Sequence, residues 1–144
     1  MTRLELILRV RAVTRDLSNS IFREQDITAF INEGIDRFVQ VIPELANMEY
    51  LYSNTDIPKF LPKEYHHLLA VYCASRCFEQ DERHYQATTK MNEFEAKLDE
   101  LKSKIEGGDI KIIDPDTGLA VVVEYEPDKV TLTPYWGIEN EVDE

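Results

Sequence analysis

The sequence predicts a mainly α protein, a small helical bundle of about four helices with a C-terminal β-hairpin and an extended acidic tail. Apolar residues recur every three or four positions through most of residues 3–106, which is the period of helices buried on one side. After residue 106 the pattern changes to short β-branched runs separated by turns. We therefore expect a helical domain over residues 1–106 and a hairpin with a C-terminal extension over residues 107–144.

The first two helices are predicted by their apolar periodicity. Residues 3–15 combine six large aliphatic side chains with four arginines and one glutamate, which gives this segment a charge of +3. The second helix has the clearest pattern, with apolar residues three and four positions apart from Ile27 to Ile42. Acidic residues in its first turn suit the helix dipole, and Pro43 ends it. Gly34 lies on its apolar face, where glycine costs about 1 kcal/mol relative to alanine, so we expect a neighbouring helix to approach closely there.

The third and fourth helices follow a connector over residues 44–61, in which Tyr50 and Tyr52 are predicted as aromatic anchors. Pro62 suits the first turn of the third helix, which is apolar on most sides and is therefore expected at the centre of the bundle. The fourth helix begins near Glu82 and would be roughly 36 Å long. That length suggests that part of it packs on a neighbouring subunit. Its heptad stripe consists of Ala87, Met91, Phe94, Leu98, Leu101 and Ile105.

The predicted hairpin joins strands at 110–113 and 119–125 through a turn at 115–118, and residues 130–133 could add a third strand. A lone hairpin is marginally stable in water, so its apolar residues need a cover. Strand addition between subunits and packing on the chain's own helices are both solutions. The candidate partner-binding residues of the hairpin are Ile112, Val121 and Val123.

The tail adds an aromatic pair, Tyr135 and Trp136, and the latter is the only tryptophan of the chain. Aromatic residues dominate the energetics of many interfaces, so both are candidate partner-binding residues. The alternative, in which Trp136 folds back on its own hairpin, is equally consistent with the sequence.

Composition and charge exclude several classes of function. The net charge is -12, and residues 107–144 carry -8 of it, so tight binding of DNA phosphates is not expected. No apolar run is long enough to span a membrane, and the first residues do not resemble a secretory signal. The two cysteines are too few for a disulfide framework, which favours a cytoplasm-like, reducing compartment.

No pattern of residues predicts catalysis or a cofactor. Cys73 and Cys77 are spaced to share one helix face, and a zinc site with nearby histidines is conceivable, but no second cysteine pair follows and buried thiols are favoured. Of His66 and His67, one is expected to pack inside and one to lie at the surface. Acidic pairs near helix starts and turns are explained by the helix dipole and by turn chemistry. We therefore predict no catalytic, cofactor-binding or metal-binding residues, and not an enzyme.

The order of elements over residues 20–106 resembles the head–tail adaptor proteins of tailed bacteriophages, also called connector or head-completion proteins. Four features carry the resemblance: a helix that opens on acidic residues and contains an apolar–Asn–small–aromatic run, a Leu-Pro step, a helix with a Tyr/Leu/Ala/Arg texture, and a charged break before a long helix. In this chain they are Asp26-Ile27 with Phe30 to Phe38, Leu61-Pro62, Tyr65 to Arg76, and Asp81-Glu82-Arg83 followed by Tyr85, Phe94 and Leu98.

The resemblance implies a structural virion protein that forms a ring, a homo-dodecamer, between the portal protein and the tail or stopper proteins, made in the host bacterial cytoplasm. DNA would pass through the lumen without specific binding. The hairpin and acidic tail depart from the shorter members of the family. The alternative is an acidic DNA mimic or inhibitor of a nucleic-acid-binding partner, which the charge of the tail favours and the near balance of charge over residues 1–106 disfavours.

Overall fold

The computed structural model describes residues 1–16 and 21–123, and four α-helices carry the fold of these residues. The prediction of a mainly helical protein is confirmed for this part of the chain. None of these helices combines the length and apolar character that a membrane crossing requires. The helices are α1 (Arg3–Thr14), α2 (Glu24–Val41), α3 (His67–Gln80) and α4 (His84–Glu106), with short 3-10 turns at Pro43–Leu45 and Lys63–Tyr65.

Helix α3 lies at the centre of the bundle, as predicted, because it packs against α1, α2 and α4. The helix begins later than predicted, at His67. Pro62 has an extended ψ of 142° and stands before a separate 3-10 turn. Within that turn, Tyr65 is buried and its hydroxyl donates to Glu100 Oε2 of α4 at 3.0 Å. The turn therefore positions a buried side chain that a continuous helix from Pro62 would place elsewhere.

Close packing at Gly34 is confirmed. A Cβ atom at this position would lie 3.2 Å from Leu69 Cδ2 and 3.3 Å from Tyr72 Cδ1, both on α3. The missing side chain therefore lets α2 and α3 approach each other, which explains a residue that weakens an isolated helix.

The core is centred on Phe94 of α4, which is fully buried. Its ring meets Phe38 of α2 edge-on at a centroid distance of 5.5 Å and Tyr72 of α3 at 5.1 Å. Leu98 and Leu101 continue the same stripe inward, so the predicted heptad positions of α4 pack within the chain itself.

Helix α1 differs from a simple amphipathic helix, because it buries charge and exposes apolar groups. Arg3 and Arg11 are only 7 % and 6 % exposed, whereas Leu4 and Leu8 are 41 % and 58 % exposed. The Arg11 guanidinium donates to Asp16 Oδ2 at 2.6 Å. The helix starts at a capping box and ends at a residue with a left-handed φ of 63°. Its outer surface is consequently more apolar than its sequence period indicates.

No strand forms in the described part of the predicted hairpin, up to residue 123. The only regular pairing there is an isolated antiparallel bridge between Ile113 and Ala120. The turn is confirmed, since Gly118 has a φ of 72° and its N–H donates to Asp114 O at 2.8 Å. Ile110 and Ile112 pack on the bundle, and Ile110 N–H donates to Lys104 O at the end of α4, whereas Ile113 is 45 % exposed. Residues 124–144, with the rest of the predicted strands, lie outside the described residues.

Candidate interaction surfaces

The structure places the predicted partner-binding residues of the hairpin in different environments. Ile112 is 2 % exposed and belongs to the main core, so it covers the chain's own bundle. Val121 is half-buried against that core, and its N–H donates to Ile112 O at 2.8 Å. Val123 is half-exposed. Tyr135 and Trp136 lie outside the described residues, and their role stays a prediction.

The two cysteines are core thiols, as the sequence favoured. Both are fully buried, and Cys73 Sγ lies 3.4 Å from Ile27 O, to which it donates. Burial and the neighbouring thiol of Cys77 raise the pKa of Cys73 well above its ordinary value. A thiol held protonated is a poor nucleophile and a poor metal ligand. Within residues 1–16 and 21–123, no three His, Cys, Asp or Glu side chains are arranged to hold a metal ion.

His66 is the buried member of the histidine pair, and His67 is half-exposed. The Nε2 atom of His66 lies 2.7 Å from Leu61 O and therefore donates to it. The Nδ1 atom of His66 is then free to accept from the Met1 ammonium at 2.7 Å. Burial lowers the pKa of His66, and the nearby ammonium acts in the same direction. The arrangement suits a neutral imidazole that fixes the turn before α3.

This geometry predicts that His66 makes stability depend on pH. Because the folded-state pKa is lowered, the contribution of neutral His66 is complete above the unfolded pKa of 6.5 and is lost as the pH falls from there through the folded pKa. Urea unfolding across this range should show a steeper loss of stability for the wild type than for His66→Gln. Equal slopes for the two proteins would contradict the assignment.

The acidic pairs serve local structure. In the first turn of α2, Glu24 pairs with Arg3 and Asp26 with Arg23. Asp81 lies at the end of α3, before the break, and pairs with Arg83 at 2.9 Å. The helix dipole accounts for Glu24 and Asp26 in the first turn of α2. The expectation that Asp81 and Glu82 also open a helix is wrong, because Asp81 caps the C-terminus of α3 and α4 begins only at His84.

The first surface that could receive a partner lies on the connector and consists of Tyr50, Tyr52 and Ile57. These side chains are 44 %, 70 % and 45 % exposed, so the two tyrosines predicted as aromatic anchors lie at the surface. Leu51, 1 % exposed, anchors the segment instead. We call this set the connector surface. A cleft of about 550 Å³ lies between the connector and Ile35 to Val39 of α2.

Hydrogen bonds fix the backbone beneath the connector surface. The side-chain amide of Asn32 accepts from Leu51 N at 2.9 Å and donates to Leu51 O at 3.2 Å. The Asp56 carboxylate accepts from the N–H groups of Tyr52 and Ser53 at 2.8 Å, and these bonds lower the pKa of Asp56. Tyr50 donates to Asp36 at 2.7 Å, which raises the pKa of Tyr50. The exposed aromatics therefore stand on a backbone that is already ordered.

The second surface is a groove between the end of α1 and the start of α4. Phe78 forms part of its lining and is 5 % exposed, Val13 is 38 % exposed, and Tyr85 is 81 % exposed. The space measures about 250 Å³. We call it the α1–α4 groove. Sequence reasoning placed Tyr85 in a family pattern and Val13 in a helix period, and neither pattern indicates that the two residues meet.

One basic side chain, Lys90, lines the α1–α4 groove. It pairs with Glu93 only at 3.5 Å. Arg9 of α1 and Arg15, which caps its C-terminus, are exposed and form no ion pair with residues 1–16 or 21–123, but neither lines the groove. An occupant of this groove would therefore meet an apolar lining next to positive charge.

Comparisons with protein-family models, with curated proteins and with solved structures found no match for this chain.

Proposed function

We propose that this chain is a structural subunit of a tailed bacteriophage virion, which forms a ring adaptor between the portal protein and the tail or stopper proteins. DNA passes through the ring without specific binding. The ordered sequence features from Asp26 to Leu98 that resemble head–tail adaptors support the proposal, as does the four-helix bundle.

The observation that carries the proposal is that one small bundle exposes two different apolar surfaces. Ring subunits make head-to-tail contacts, so each needs two distinct, complementary patches rather than one self-complementary patch. The connector surface and the α1–α4 groove differ in residues, in shape and in charge. Exposed aromatic residues of this kind dominate the energy of protein interfaces.

The positions of these surfaces suit contacts with two different neighbours. The connector is held at the start of α1, because Arg3 N–H donates to Asp56 O at 2.8 Å and Leu4 N–H donates to Asn54 O at 3.3 Å. The groove lies at the other end of the same helix, at Val13. Nine residues of helix separate Leu4 from Val13, a rise of about 14 Å. The two patches can therefore be occupied at the same time.

The charges of α4 favour the adaptor over an acidic DNA mimic. A mimic needs one continuous face of negative charge. On α4, lysines alternate with the acids, as Lys90 pairs with Glu93, and Lys97 and Lys104 both pair with Glu100. Such a mixed surface lacks the regular negative charge of a DNA backbone and also gives DNA no phosphate-binding stripe.

The test is to add the purified chain to an assembled phage portal ring and to image the product by electron microscopy. We expect added ring-shaped density on the portal. Tyr52→Ser should weaken this binding several-fold, because it removes an exposed aromatic from the connector surface. Leu119→Ser is the matched control, since Leu119 is equally exposed at 70 % but lies outside both surfaces.

Failure of the wild-type chain to bind portals, or equal loss with both variants, would contradict the adaptor proposal. Binding to a nucleic-acid enzyme by a monomer that ignores portals would support the inhibitor alternative instead.

A further inference from the structure

We propose that the connector surface of one subunit binds the α1–α4 groove of a second copy of this chain, with Tyr52 as the side chain that enters the groove. This inference deepens the adaptor proposal and rests on it for the ring, because it assigns the contact that joins neighbouring subunits. The contact itself needs only two copies of the chain, so it can be measured without a portal.

Tyr52 has the geometry of an inserting side chain. It is 70 % exposed, and the ring of Tyr50 meets its ring edge-on at a centroid distance of 6.4 Å. The Asp56 carboxylate accepts from the Tyr52 N–H at 2.8 Å. Because an ordered backbone and a neighbouring ring already restrict Tyr52, this side chain loses little conformational entropy when it binds.

The α1–α4 groove has the size and the chemistry to receive that side chain. Its space of about 250 Å³ lies below the range of pockets that hold drug-sized ligands, and it suits a single aromatic ring. Val13 and Phe78 give it an apolar lining, and Gln86 and Lys90 add polar atoms. A tyrosine suits such a mixed lining, because it buries an apolar ring while its hydroxyl finds a polar partner.

Charge complementarity identifies the connector surface as the occupant. The cleft beside it is lined by three acids, Asp36, Glu49 and Asp56, against one lysine, Lys59, which gives a net charge of -2. Among the described residues that line the groove, the only charged one is Lys90. Glu49 is exposed and forms no ion pair with residues 1–16 or 21–123, so its carboxylate is available to Lys90 of a second copy.

The groove of its own chain is out of reach for Tyr52. Hydrogen bonds hold the connector at Leu4, at the start of α1, whereas Val13, near the other end of α1, lines the groove. The rise of about 14 Å between these two positions exceeds the length of a tyrosine side chain. The two surfaces therefore meet only between copies. Because they are different patches, the contact is head-to-tail and can be repeated from subunit to subunit.

Cysteine cross-linking of the full chain tests the contact. Thr55→Cys places a thiol three residues from Tyr52, and Gln86→Cys places one in the lining of the groove. Cys73 and Cys77 are buried and should not react. We expect a mixture of the two variants, at high concentration with a short bismaleimide, to give several-fold more cross-linked dimer than either variant alone. A head-to-tail contact brings unlike positions together, which is the reason for this difference.

Two further changes test the residues of the contact. Tyr52→Ser in the Thr55→Cys chain should reduce the cross-linked dimer several-fold, because it removes the inserting ring. Glu49→Lys in that chain should also reduce it, and Lys90→Glu in the Gln86→Cys chain should restore it, since the reversed pair is again complementary. Circular dichroism should show that all variants stay folded.

Leu119→Ser in the Thr55→Cys chain is the matched control, because Leu119 is as exposed as Tyr52, at 70 %, but lies outside both surfaces. Mixed variants that cross-link no better than Thr55→Cys alone would overturn the proposal, and so would a Tyr52→Ser chain that cross-links as the control does. Cross-linking by a chain that does not bind portals would contradict the adaptor and leave this contact standing. Ring density on portals without cross-linking would overturn the contact alone.

Discussion

Replacing Asp16 by alanine is expected to lower the free energy of unfolding by about 3–5 kcal/mol, because it leaves a buried charge without its partner. The side chain of Asp16 is fully buried, and that of Arg11 is 8 % exposed. The carboxylate accepts from Arg11 and from the N–H groups of Ile21 and Phe22, the latter two at 3.0 Å. The variant would bury the Arg11 guanidinium without a carboxylate and would also leave these backbone donors unsatisfied.

Urea unfolding measures this loss, and Asp26→Ala is its control. Asp26 also pairs with an arginine, Arg23, but the side chain of Arg23 is 73 % exposed. Exposed pairs contribute about 0–1 kcal/mol. Equal effects of the two substitutions would show that the Arg11–Asp16 pair is not buried in solution.

A double variant, Arg11→Met/Asp16→Leu, divides the loss between its two causes. Removing both charges abolishes the unpaired guanidinium, so this protein should be more stable than Asp16→Ala. It should remain less stable than the wild type, since the N–H groups of Ile21 and Phe22 still lack their acceptor.

Replacing Phe94 by alanine should destabilise the fold by about 3–5 kcal/mol, the range for a large buried aromatic. Phe94 is fully buried and touches aromatic rings of two other helices, Phe38 of α2 and Tyr72 of α3. The substitution opens a cavity where three helices meet, and it removes two edge-on ring contacts, each contributing about 0.5–1.5 kcal/mol beyond burial.

Thermal and urea unfolding of Phe94→Ala should be compared with Phe94→Leu and Tyr85→Ala. Leucine refills most of the volume, so its cost should be smaller than that of alanine. Tyr85 lies on the same helix but is 81 % exposed, and its replacement should change stability by less than about 0.5 kcal/mol. A Phe94→Ala protein as stable as Tyr85→Ala would be incompatible with the packing described.

The sequence predicts well those parts of the fold that follow from the local spacing of apolar residues. Helices α2, α3 and α4 have strong apolar spacing, and their existence and order follow from it. Gly34 was predictable for the same reason, because a costly residue on a buried face implies a close neighbour. The last turn of α2 ends two residues before Pro43, where the proline predicts it.

Helix α1 shows where such reasoning fails. Arg3 is buried because partners distant in sequence surround it, and it donates to Asn54, 51 residues away. No local pattern carries that information. Once Arg3 and Arg11 point inward, Leu4 and Leu8 must point outward, so the exposure of these leucines is a consequence of tertiary contacts.

The candidate surfaces were predicted only in part for similar reasons. The sequence identified Tyr50 and Tyr52 as aromatic anchors but did not show that Leu51, between them, is the residue that packs inside. The α1–α4 groove combines residues from three helices and has no signal in any one of them. Ile112 was predicted in a strand because its neighbours are apolar, but it is buried in the main core of the bundle.

The hydrogen bonds of the Arg3 guanidinium affect how the connector and the starts of α1 and α2 unfold locally. One Nη donates to Thr28 of α2 at 2.7 Å, and the other donates to Asn54 of the connector at 2.8 Å and to Glu24 at 3.2 Å. Three segments far apart in sequence thus share one charged group, so release of any one of them leaves buried donors unpaired. Local fraying of the connector is penalised, and its amide protons should exchange with solvent in the same cooperative unit as those of α1 and the start of α2.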